Sequence, residues 1–142
     1  MGFGEITYNV PLWAAMISWA IAQGSKIILT FITEKRFDAT RIVGTGGMPS
    51  SHSALVMALT FSVGKYNSFG SPLFAMALIF SFVVMYDAAG IRRAAGKQAE
   101  IINMLLLKHE VPDMEKLKEL LGHTPLEVFV GGLLGIAVGF WI

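Results

Sequence analysis

Apolar positions in this chain fall into four stretches, and polar positions into two long loops between them. Tyr8 to Ile32 carries one charge, Lys26, in 25 residues. A helix of about 20 residues crosses the hydrocarbon layer, so the stretch predicts a spanning helix with Tyr8, Trp13 and Trp19 as candidates for an interfacial belt. A cleavable signal peptide is the weaker alternative, because Glu5 makes its start acidic and the apolar run is too long. Ser53 to Tyr66 is shorter and would barely cross. Ser71 to Gly90 is almost wholly apolar, and the turn-forming run Asn67-Ser68-Phe69-Gly70-Ser71-Pro72 joins the two into a tight hairpin. Pro125 to Ile142 is the fourth stretch, with Glu127 as its sole charge. A soluble helix shows a polar face; the third and fourth stretches show almost none. The pattern predicts an all-α integral membrane bundle of about four transmembrane helices, forming a single domain over residues 1–142.

The two polar loops set the orientation. Thr33 to His52 holds Lys35, Arg36 and Arg41; Ile91 to Thr124 holds Arg92, Arg93, Lys97, Lys108, Lys116 and Lys118. With four spans both loops lie on one side, which gathers nine of the eleven Lys and Arg residues there. Positive loops stay cytoplasmic, so both termini and the hairpin tip are expected outside, in a multi-pass plasma-membrane protein. Within the second loop, Arg92 to Leu107 has helix-forming composition and is expected to continue the third span. Met114, Leu117, Leu120 and Leu121 then recur at helical spacing opposite Glu115, Lys116, Lys118 and Glu119. They predict a short cytoplasmic amphipathic helix, with Gly122 as its stop.

Composition narrows the function. Charged residues are 15% of the 142 and hydrophobic residues 54%, against about 25% charged in an average soluble domain. That excludes a disordered chain. The absence of cysteine excludes a disulfide scaffold or thiolate metal site. A net charge of +1 gives no footprint for nucleic acid.

Three groups of residues carry candidate chemistry. Gly46-Gly47-Met48-Pro49-Ser50-Ser51-His52-Ser53 is a glycine-rich loop running into a helix start, where backbone N–H groups and the helix dipole favour a phosphate. Ser50 and Ser51 add donors, and His52 stands beside the anion; the plainer reading makes Ser50 or Ser51 an ordinary N-cap. His123 and Glu127 are four apart and share a helix face, so the carboxylate can hold the imidazole in one tautomer for nucleophilic or base chemistry. Thr124 and Glu127 also fit a capping box, with Pro125 at the first helical position. The third group is the charges inside or beside apolar stretches. Lys26 sits about 10 Å inside the cytoplasmic end of the first span, at 1.5 Å per residue, and Asp87 precedes Arg92 and Arg93. Such residues mark function, snorkelling and ion pairing being the alternatives. All lie near one membrane face, and together they suit phosphoryl transfer.

Pro49-Ser50-Ser51-His52 resembles the Pro-Ser-Gly-His motif of the type 2 phosphatidic acid phosphatase and vanadium-haloperoxidase superfamily. His123 with Glu127 resembles that family's closing His-x-x-x-Asp element. The strings GGMPSSHSA, YDAAGIRRAAGKQA and GHTPLEVFVGG are similar to its small divergent bacterial and plastid branch, over about Ala22 to Gly135. The resemblance implies a metal-independent phosphatase without cofactor that works through a phosphohistidine. It casts His123 as nucleophile, Glu127 as its orienting carboxylate, His52 as general acid, and Ser50 and Ser51 as phosphate ligands. The family's Lys-x6-Arg-Pro element is absent, and Leu117 stands where its Ser-Arg pair would lie. By chemistry, Lys26, Arg36, Arg92 and Arg93 are the substitutes, with Asp87 as an orienting or ion-pairing group.

The expected activity is hydrolysis of a lipid phosphate at the cytoplasmic face, for example phosphatidylglycerol phosphate or phosphatidic acid. The alternatives are a non-catalytic lipid-phosphate binder or transporter, an undecaprenyl pyrophosphate phosphatase, and a structural subunit. Gly131, Gly135 and Gly139 form a small-residue face open to two readings: packing within the bundle, or a homodimer.

Overall fold

The computed structural model describes residues 3–34, 47–108, 117 and 122–142. The described residues are helical apart from short connections. A 3-10 turn over Phe3–Tyr8 leads into α1 (Val10–Glu34), followed by α2 (Ser51–Asn67), α3 (Pro72–Ala89), α4 (Ile91–Lys108) and α5 (Pro125–Trp141). Val10–Ile32 and the run Pro72–Lys108 are each long and apolar enough to cross a membrane. The 17-residue helices α2 and α5 stand at the short end of the range that spans a bilayer. The expected amphipathic helix over 114–121 lies outside the described residues, Leu117 apart. The expected extension of the third stretch is present as α4.

Helix α2 is the centre of the bundle, packed by α1, α3 and α5. This explains its modest apolarity: a helix surrounded by protein has no lipid to satisfy. Its neighbours approach closely because the residues between them are small. Ala14, Ala15, Ala22, Ala54 and Ala58 are buried, whereas Ile28, Phe31, Phe80, Phe129 and Leu133 are exposed. Small residues inside and large apolar residues outside are how helices pack in lipid, where burial of apolar area gives no driving force. Interhelical hydrogen bonds supply part of the cohesion. Ser18 donates to the Ala54 carbonyl at 3.0 Å, and the hydroxyls of Thr60 and Ser81 meet at 2.6 Å between α2 and α3.

The face formed by Gly131, Gly135 and Gly139 lies against the backbone of α2 at Ser50, Ala54 and Ala58. Of the two readings of that stripe, packing within the bundle is the one observed; a second copy using it would have to displace α2. At the hairpin end, the rings of Phe61, Phe69, Phe74 and Phe140 cluster with centroids 5.1 to 6.3 Å apart. Tyr66 and Lys65 bond there to the carbonyls of Ile142 and Phe140. These contacts close the bundle at the end remote from the histidines.

Candidate active site

The start of α5 is built by its own sequence. Thr124 is the N-cap, Pro125 follows at the first helical position, and Glu127 completes a capping box. The Glu127 N–H donates to the Thr124 hydroxyl at 3.3 Å, and the Thr124 N–H donates to Glu127 Oε2 at 3.0 Å. That same Oε2 lies 3.1 Å from Nδ1 of His123. The capping box and the contact with the imidazole are therefore one arrangement: the carboxylate fixed by the cap is placed to accept a hydrogen bond from Nδ1–H of His123. With Nδ1–H donating to the carboxylate, Nε2 carries the lone pair of the neutral ring. Gly122 adopts a φ of +93° just before the histidine, a turn that a side chain would disfavour. The His123 N–H then donates to the Ala88 carbonyl at 2.9 Å, which ties the residue to the end of α3. The His123 ring is buried, with 1% exposure.

The start of α2 supplies the second imidazole. Ser50 caps α2 by accepting from the Ser53 N–H at 3.4 Å and the Ser53 hydroxyl at 3.0 Å. Its own N–H donates to the Glu127 carbonyl at 3.0 Å. Ser50 thus couples the two helix starts; that N–H, read from sequence as a phosphate ligand, is committed to the framework. Two residues on, the His52 ring meets the His123 ring edge-on, with centroids 5.8 Å apart and planes at 64°. A cavity of about 390 Å³ opens beside His52, lined by His52, Val83, Val84, Asp87 and Ala88.

Lys26 is buried on α1, and its ammonium donates to the Ser51 hydroxyl at 3.2 Å. It also lies within electrostatic reach of the Glu127 carboxylate. Burial rather than snorkelling is its state here. Seven positions predicted from sequence accordingly converge: His52, His123, Glu127, Ser50, Ser51, Lys26 and, on the cavity wall, Asp87. Arg36 lies outside the described residues, as do the side chains of Arg92 and Arg93, whose backbone forms the first turn of α4. The sequence reading missed the Ala88 carbonyl that anchors His123 and the Glu127 carbonyl that anchors Ser50. Backbone acceptors have no side-chain signature, so nothing in the residue types pointed to them.

Residues 7–138 match the family described as "Divergent PAP2 family". The chain is 42% identical over 146 residues to the "Uncharacterized membrane protein YuiD" of Bacillus subtilis (strain 168), an alignment covering 93% of this chain and 92% of that one. No solved structure matches.

Proposed function

Since the chain belongs to the divergent PAP2 family, we propose that it is a membrane phosphatase that removes phosphate from lipid phosphate monoesters through a phosphohistidine. The observation that carries this reading is the meeting of His52 and His123, 71 positions apart in sequence (123 − 52), at a ring separation of 5.8 Å beside a cavity. One of the two imidazoles has its Nδ1 held by a carboxylate.

The chemistry follows from these positions. Nε2 of His123 attacks phosphorus in line with the ester oxygen, whose bond to phosphorus breaks. His52, protonated, gives its proton to the departing alkoxide, and a diacylglycerol-type alcohol leaves. Neutral His52 then takes a proton from water, which attacks the phosphohistidine and frees His123 and inorganic phosphate. Glu127 stabilises the positive charge that develops on the His123 ring. Lys26, Ser51 and the positive end of the α2 dipole neutralise the equatorial phosphate oxygens. A nucleophile that must be neutral and an acid that must be protonated give a bell-shaped pH profile.

The purified protein in lipid vesicles is expected to release phosphate from phosphatidic acid or phosphatidylglycerol phosphate without added divalent metal. In the first turnover, where only phosphoryl transfer to His123 is read, His52→Ala should lose on the order of 10² to 10⁴ in the rate of alcohol release from such alkyl esters, and much less with an aryl phosphate, whose leaving group needs no proton. No release by the wild type would favour a binder or transporter. An equal loss on both ester types would remove His52 as the acid.

The loop charges support a cytoplasmic site. The chain has no cysteine, so single-cysteine variants report topology directly. Lys97→Cys is expected to be shielded from a membrane-impermeant maleimide added to intact cells, and Ser68→Cys at the hairpin to react. The reverse pattern would put the site outside and shift the substrate to a carrier-lipid pyrophosphate.

A further inference from the structure

The cavity beside His52 is not isolated. A second cavity, of about 550 Å³, lies on the neighbouring flank of α3, lined by Phe82, Val83, Met85, Tyr86 and, from α5, Val128. Val83 forms part of both walls. Val128 directly follows Glu127 in the chain, so the apolar cavity begins one residue from the catalytic carboxylate. Helices α3 and α5 each pack firmly on α2 but touch each other lightly, which leaves a groove between them. Among the described residues no polar atom faces that groove, whereas His52 and Asp87 face the adjoining one. The pair has the shape of an amphiphile: a polar end at His52 and Asp87 and an apolar end running out between two helices.

We propose that the α3–α5 groove seats the first part of a hydrocarbon tail of the substrate, and that the phosphate reaches the histidines sideways from the bilayer. This rests on the phosphatase reading and adds the route and the tail site to it. Entry through the groove keeps the hydrocarbon in apolar surroundings all the way from lipid to site, so no tail surface has to be wetted. Met85, unbranched and flexible, lets the groove adapt to tails of different shape. Val83, at the junction of the two cavities, sets where head gives way to tail.

The test is photocrosslinking of the full chain in vesicles with a phosphate-monoester lipid whose ester oxygen is replaced by CH2, so that it cannot be hydrolysed, and which carries a diazirine on its tail. The same lipid lacking the phosphate serves as comparison. Labelling of Phe82, Met85, Tyr86 and Val128 is expected to be enriched roughly tenfold by the phosphate, the ratio that a modest headgroup anchor produces. Met85→Trp, which fills the groove, should remove the enrichment. Equal labelling with and without phosphate would mean that the groove holds bulk lipid only, and would overturn the proposal. The assay does not depend on turnover. Enrichment without phosphate release from the ester lipids supports the tail site and refutes hydrolysis; release with even labelling refutes the tail site and leaves hydrolysis standing.

Discussion

Replacing His123 with alanine is expected to lower phosphate release by about 10⁴-fold or more, the scale on which removing a covalent nucleophile acts. The fold should survive, because the residue's link to α3 is made by its backbone N–H to the Ala88 carbonyl, which alanine keeps. An acid-labile phosphoprotein, trapped by rapid quenching of the wild type with labelled substrate, should be absent from the variant. Unchanged release by a folded His123→Ala protein would end the nucleophile assignment.

Glu127→Gln sharpens the same result. A capping box accepts glutamine in place of glutamate, so the bonds that start α5 at Thr124 persist. What is lost is the charge that favours a proton on Nδ1 and steadies the ring when Nε2 bonds to phosphorus. Substitution of that kind in a carboxylate–histidine pair costs up to about 10⁴ in rate. A stable variant with little activity is therefore expected here, whereas loss of stability alone would mean that Glu127 serves only the cap.

How much of this could be read from the residues differs by feature. The helix starts were legible because capping is local: Pro-Ser-Ser-His and His-Thr-Pro-Leu-Glu each encode their own geometry within a few residues. The i, i+4 relation of His123 and Glu127 was legible for the same reason. The meeting of the two histidines was legible only through the resemblance and the shared membrane face. It depends on α5 lying on α2, which three glycines allow and which local pattern left open between the bundle and a second copy. Helix α2 read as a weak span because hydropathy reports contact with lipid, and this helix contacts protein. The Ser50-to-Glu127 and His123-to-Ala88 bonds end on backbone carbonyls that every residue possesses, so only coordinates reveal them.

The glycines also make the largest structural prediction. A Cβ on Gly135 would run into the Ala54 carbonyl oxygen and come within 2.8 Å of Met57 Cβ and 3.0 Å of the Ala58 nitrogen. Two of these three are backbone atoms of α2 and cannot swing aside, so Gly135→Ala must push α5 off the central helix. Overpacking of this kind costs roughly 1 to 3 kcal/mol. It also moves Glu127 and His123 relative to His52, and a displacement of about 1 Å in a catalytic constellation is worth on the order of 10² in rate. Gly132 is the matched control. It sits three residues earlier on the same helix, and its added Cβ would meet only the side chains of Met85 at 3.6 Å and Met57 at 3.8 Å, ordinary contact distances. Thermal unfolding in detergent and phosphate release are expected to be near wild type for Gly132→Ala and to fall together for Gly135→Ala. If the two alanines behaved alike, the contact between α2 and α5 would not be what holds one imidazole against the other.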